Sequence, residues 1–188
     1  MKFTNAQIRE LADSTKFPAD NLEKVLRLRE LLIEFHKHSF LRGKLVLKGG
    51  TALNLFYLHL ARLSVDIDLN YIGHIDREAT LLDRPEIIKA VERVAVSLGY
   101  RLQNGKDDYT LREWHLNFTN HAGRPDRIPV EINLLEVLTQ KNKLITFGVS
   151  LTGDQSSRSW RNQLTAHFQN PTSAHVGASF AKWSFASL

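Results

Sequence analysis

Apolar residues recur at helical spacing in some stretches of this chain and alternate with polar ones in others. Thr4 followed by Gln7 has the form of a capping box, which opens a short helix over Asn5 to Asp13. Pro18 breaks the chain, and Asp20 or Asn21 can cap a longer helix with Glu23 in its first turn. Leu22, Val25, Leu26, Leu32 and Phe35 fall at three- and four-residue spacings, so one face of that helix packs on a core. Arg27, Arg29 and Lys37 read as its solvated face. Further on, Gly73 to Asp83 reads as a polar connection. Pro85 suits the first turn of a helix over Glu86 to Leu98, with Ile87, Val91, Val94 and Leu98 as its stripe and Gly99 as its C-terminal cap.

The strand-like segments are Leu45-Val46-Leu47, Val65 to Tyr71, Tyr100 to Gln103, Tyr109 to Asn120 and Ile128 to Leu138. Asn104-Gly105 reads as a turn, and Ala122 to Arg127 as a loop. The last two strands are expected to pair antiparallel. No internal repeat is present.

The chemistry concentrates between Leu45 and Asn70. A short apolar run stops at Lys48 and Gly49-Gly50, helical character follows from Thr51 to about Ala61, and an extended segment then carries Asp66 and Asp68. Small residues between a strand and a helix N-terminus let backbone N–H groups approach a phosphate. Thr51 adds a hydroxyl that can cap the helix or meet that phosphate. Asp66 and Asp68 are two apart on a strand, so they project from one face, while Ile67 and Leu69 point into the core. Two adjacent carboxylates repel unless a cation lies between them, and a hard ion such as Mg²⁺ is the natural partner. Glu131, mid-strand among apolar neighbours, can complete the cluster or act as general base. Glu136 lies at an odd offset and faces the other side. Arg62 and Ser64 flank the aspartates and could bind phosphate, or Arg62 could pair with Asp66. Taken singly, Gly-Gly is an ordinary turn, D-x-D an ordinary salt-bridge feature, and Glu131 a strand charge for Arg127 or Arg112. Their order along the chain favours a site.

Composition narrows the class. The 188 residues suffice for one domain with a real core, and 43% hydrophobic with 24% charged residues is a globular balance. No apolar run approaches the roughly 18 residues of a membrane span, and the N-terminus has no secretory pattern. The absence of cysteine rules out disulfides, thiolate metal sites and cysteine catalysis, and fits a cytoplasmic location. The eight histidines show no metal-ligand spacing, so His36, His38 and His59 read as surface or partly buried residues. A net charge of +5 is compatible with a polyanionic partner. After Asp154 there is no acidic residue, and the Ser-, Ala-, Asn- and Gln-rich end follows neither period. A loosely ordered basic tail or a shifted reading frame would each give that composition.

The strings Lys48-Gly49-Gly50-Thr51-Ala52-Leu53 and Arg62-Leu63-Ser64-Val65-Asp66-Ile67-Asp68-Leu69 resemble the AbiEii/AbiGii toxin family of nucleotidyltransferases, within the DNA polymerase β-like superfamily. The resemblance spans roughly Leu22 to Leu138. It implies an α+β fold, a mixed nucleotidyltransferase sheet flanked by helices. The chain reads as an N-terminal helical segment (1–40), a nucleotidyltransferase core (41–145) and an atypical tail (146–188). By that resemblance Gly49, Gly50 and Thr51 would bind the nucleotide phosphates, and Lys48, Arg62 and Ser64 are candidate nucleotide contacts beside them. Asp66, Asp68 and Glu131 would be the catalytic, Mg²⁺-binding carboxylates. The family implies the toxin of a toxin–antitoxin or abortive-infection module, with a nucleoside triphosphate as substrate, tRNA as acceptor for some members and a cognate antitoxin as partner. Its further Lys and Asp motif, expected after about residue 150, has no match here, so the C-terminal helical lobe reads as truncated or replaced. A binding module of the same fold that lacks chemistry is the main alternative. A D-x-D glycosyltransferase is a weaker one, since the Gly-Gly-Thr helix start and Glu131 speak against it.

Overall fold

The computed structural model describes residues 3–56, 63–74, 76–134 and 149–150. The capping box forms as the sequence suggests: the Gln7 N–H donates to Thr4 Oγ1, the Thr4 N–H donates to Gln7 Oε1, and helix α1 runs Asn5–Thr15. Helix α2, Ala19–Lys37, starts two residues earlier than an Asp20 cap would place it. Pro18 occupies the cap position without a side-chain bond, and Asp20 falls in the first turn, where its charge favours the helix dipole. Leu22, Val25, Leu26, Leu32 and Phe35 are all buried, as their spacing requires.

Among the described residues six strands follow: β1 (Leu45–Lys48), β2 (Ile67–Tyr71), β3 (Arg101–Asp107), β4 (Leu111–Thr119), β5 (Pro125–Asn133) and β6 (Val149–Ser150). They form one sheet in the order β3-β4-β5-β2-β1-β6. The β2–β5 pair is parallel and every other pair antiparallel, so the fold is α+β with a mixed sheet. Strands β4 and β5 pair antiparallel over their full length, from Leu111 opposite Asn133 to Thr119 opposite Pro125. In β4 the even positions Arg112 to Phe118 are buried and the odd ones Leu111 to Asn117 half-buried, the alternation of a sheet covered on one face. On that covered face Trp114, Leu116, Ile128, Val130, Ile132, Ile67 and Leu69 join residues of α2 and α4 in the main core.

Larger departures from the sequence expectation occur in α4, β3 and β5. Helix α4 runs Arg77–Ser97, taking in most of the segment read as a polar connection, and Pro85 lies in its interior. Its start is set by Asp76, whose side chain accepts from the Ala79 N–H at 2.8 Å. The first half is anchored by Asp83, whose carboxylate accepts from Lys44 Nζ at 2.7 Å and from Tyr71 O–H at 2.6 Å. These tertiary contacts offset the ~3 kcal/mol that an interior proline costs a helix. The C-terminus matches the expectation. Gly99, at φ +87°, donates to Val96 O while Tyr100 N–H donates to Ala95 O, a Schellman cap. The expected turn at Asn104-Gly105 is instead an irregularity within β3, between Asn104 and Asp107, and the reversal comes at 108–110. Strand β5 begins at Pro125, inside the expected loop, because the turn before it is closed by Asn120 accepting from the Ala122 and Arg124 N–H groups. The strand's expected end at Leu138 lies outside the described residues.

Arg27 also departs from its expected solvated role. Its guanidinium lies 4.2 Å from the Phe118 ring centroid and bonds Glu23, so it seals the core edge.

Candidate active site

Strand β1 ends at Lys48, and helix α3 (Gly49–Phe56) starts at once, with no residue between them. Gly49 makes this possible. Its φ is +73°, and a Cβ there would collide with Oδ2 of Asp68. A Cβ on Gly50 would stand 2.9 Å from Ser64 Oγ. Both glycines are exposed, so the first amides of α3 open outward beside the Asp68 carboxylate. The Thr51 side chain is used differently from the expected phosphate contact. Thr51 is buried, and its hydroxyl donates to the Asp66 carbonyl oxygen at 2.6 Å. It therefore ties the helix start to the segment that bears the aspartates.

Register assembles the rest. Lys48 stands opposite Asp68 across β1–β2, and Asp68 stands opposite Glu131 across β2–β5. Residues directly opposite in paired strands share a face, so Lys48, Asp68 and Glu131 form one row on the sheet face away from the core. Asp66, two residues before Asp68 and exposed, borders the row just ahead of the strand. The expectation that Asp66 and Asp68 share a face while Ile67 and Leu69 enter the core matches the burial of those two apolar residues. Burial pushes the Asp68 carboxyl above the ordinary aspartate range, the charges of Asp66 and Glu131 push it further, and Lys48 works against them. Arg62 and Glu136 lie outside the described residues. Arg112, considered as a partner for Glu131, instead bonds Asp107 at 2.8 Å on the covered side of β4.

The row continues to a residue that sequence reasoning missed. Glu113 stands opposite Glu131 across β4–β5, and its Oε2 accepts from the Lys106 N–H at 3.2 Å. Its odd position in an alternating strand marks it as facing the open side. Only the β4–β5 register tells that it neighbours Glu131.

Among the described residues no three His, Asp or Glu side chains stand, as placed, in a group able to hold a metal ion. The donor set still suits a hard divalent cation. It offers oxygen ligands only, and Asp68 is under like-charge repulsion from two carboxylates that a cation would relieve.

A mixed sheet in which a strand-to-helix Gly-Gly turn packs on the second aspartate of a D-x-D, with a third carboxylate in register, defines a nucleotidyltransferase-type core. Residues 30–165 match the family described as nucleotidyl transferase AbiEii toxin, type IV toxin–antitoxin system, and the chain belongs to that family. The match continues past Leu138, where the motif resemblance ends, into the segment of unusual composition. A crystal structure described as a candidate nucleotidyltransferase from H. pylori is similar at 20% identity with a TM-score of 0.43, over 68% of this chain and 54% of that one. This chain thus spans about half the length of that solved protein. No curated protein matches.

Proposed function

We propose that this chain is the nucleotidyltransferase toxin of a toxin–antitoxin system, acting in the cytoplasm and held in check by a cognate antitoxin. It transfers a nucleotidyl group from a nucleoside triphosphate to an acceptor hydroxyl, with tRNA as the acceptor that the family resemblance favours. The observation that carries the reading is the row Lys48, Asp68 and Glu131, with Gly49 packed against Asp68.

In this reading the N-terminal amides of α3 from Gly49 to Thr51 hold the triphosphate, and Lys48, Ser64 and Arg62 add contacts at its edge. Asp66 and Asp68 hold Mg²⁺, with Glu131 as the third carboxylate. The ion, when bound, neutralises charge on the triphosphate and favours ionisation of the attacking hydroxyl. Thr51 acts as a positioning residue by fixing the Asp66 main chain. Glu131, across from Asp68, either shares the ion or accepts the proton of the acceptor hydroxyl. The acceptor oxygen bonds to the α-phosphorus, the bond to the β,γ-phosphates breaks, and pyrophosphate leaves.

The test is transfer from α-³²P-labelled nucleoside triphosphates to a total RNA pool in the presence of Mg²⁺. Asp66→Ala and Asp68→Ala are each expected to lower labelling at least about 100-fold, in keeping with loss of a preorganised charge contact. Labelling at the wild-type level in either variant would sink the assignment. Labelling of protein instead of RNA would retain the chemistry and replace the acceptor.

A further inference from the structure

The open face of the sheet carries a second row of polar residues, away from the carboxylates. Arg101 on β3 stands opposite Asn117 on β4, and Asn117 stands opposite Arg127 on β5. The three share a face, and both arginines are exposed. They line a cavity of about 490 Å³ together with Gln103 and Asp126. Asp126 is engaged by Lys24 at 2.7 Å, and among the described residues neither Arg101 nor Arg127 has an ion-pair partner. Two guanidinium groups in one row, about 10 Å apart at the backbone and with no carboxylate between them, repel each other without a counter-charge. Asn117 between them donates through Nδ2 to the Arg101 carbonyl at 3.3 Å and the His115 carbonyl at 3.4 Å, which leaves its amide oxygen as an acceptor suited to a sugar hydroxyl and not to a phosphate.

This row has a fixed relation to the candidate active site. Arg127 and Glu131 are both on β5, on the same face and four residues apart, or about 13 Å. Asn117 and Glu113 are related in the same way on β4. Between the two rows lie Pro129 and His115, paired across the strands, and His115 Nδ1 is buried without a hydrogen-bond partner. A ligand that reaches from the arginines to the carboxylates must be anionic at one end and present a hydroxyl at the other. A nucleic-acid strand has that polarity, with phosphodiesters upstream of a 3′ terminal hydroxyl.

We infer that Arg101 and Arg127, on either side of Asn117, form a phosphodiester-binding row that anchors the acceptor strand and aims its 3′ end along β4 and β5 towards Asp68 and Glu131. The inference rests on the nucleotidyltransferase reading for its direction, but the row's affinity for RNA stands separately. At about 3.4 Å per stacked nucleotide, 13 Å corresponds to about four nucleotides between anchor and reacting end.

The experiment measures binding of 5′-fluorescein single-stranded RNAs of 2 to 12 nucleotides to the full chain by anisotropy, across a salt series. Affinity is expected to rise steeply once the strand exceeds about four nucleotides. Arg101→Ala/Arg127→Ala is expected to weaken binding of the longer strands at least 10-fold and to lower the salt slope by about 1.4, two phosphate contacts at about 0.7 each. The KM for nucleoside triphosphate is expected to stay the same, and Arg101→Lys/Arg127→Lys to retain most of the binding. An unchanged Kd in the alanine pair, no RNA binding by the wild type, or equal competition by poly-glutamate of matched charge would each overturn the inference. If RNA binding falls in the alanine pair while the wild type transfers no nucleotide, the row stands and the transferase reading fails.

Discussion

Asp68 shows how one residue joins packing to chemistry. Its carboxylate fills the space left by the missing Cβ of Gly49, and it is flanked on the sheet by Lys48 and Glu131. Burial and two like charges raise its pKa in the folded state. The folded chain therefore binds that proton more tightly than the unfolded chain, and stability falls as pH rises from the ordinary aspartate value through the raised one. Asp68→Asn removes the charge and is expected to stabilise the chain at pH 7. Relief of about 0.2–1 kcal/mol would raise the Tm by up to about 2–4 °C. The gain should shrink as pH falls through the raised value and be gone below about pH 3.9, where aspartate is protonated in both states. Circular-dichroism melts across pH check this, and a lower Tm for Asp68→Asn at pH 7 would contradict the electrostatic account. The parity of Asp66 and Asp68 was legible in the sequence because strand alternation is a local rule. The Thr51 hydroxyl was not, because its acceptor is a carbonyl fifteen residues away.

At the scale of elements, the loops and helix starts depend on contacts from distant parts of the chain. Glu23, near the start of α2, is buried, and it accepts from Arg27 Nε at 2.8 Å and from the His121 backbone N–H at 2.6 Å. Asp20 adds an ion pair with Arg124 at 2.8 Å, so the start of α2 holds the turn between β4 and β5. Glu23→Ala would leave Arg27 and the His121 N–H without this carboxylate and is expected to destabilise by about 3–5 kcal/mol in urea unfolding. Glu23→Gln, which can still accept a hydrogen bond, should cost less. A loss below about 1 kcal/mol for Glu23→Ala would mean that this contact does not hold the turn. The same distance dependence explains the boundaries that sequence reading missed. Pro85 is a genuine start signal in isolation, but Asp76 and the Asp83 anchor extend α4 in front of it. Gly99 was read correctly because a left-handed cap is decided within a few residues.

For the whole molecule, the sheet order matters more than any single element. Strand β2 lies between β1 and β5, which brings Lys48, Asp68 and Glu131 from three separate parts of the chain into one row. Among the described residues no helix is long and apolar enough to cross a membrane. If the carboxylates bind a divalent cation only in the folded state, MgCl₂ at ten times its Kd should add about 1.4 kcal/mol of stability. That is a rise of about 3–6 °C in Tm. The rise should vanish in Asp66→Ala/Asp68→Ala, and an equal rise in that variant would place the bound ion elsewhere. The sequence by itself determined the Gly-Gly helix start, the face shared by the two aspartates, the existence of β4 as a strand, and the family. Each is a matter of spacing within a dozen or so residues, where backbone geometry leaves few options. Tertiary structure alone decided that Glu131 stands beside Asp68, that Glu113 stands beside Glu131, and that Arg101 and Arg127 share a row. Strand order and register are set by how the two halves of the chain bury a common core, and no local pattern carries that information.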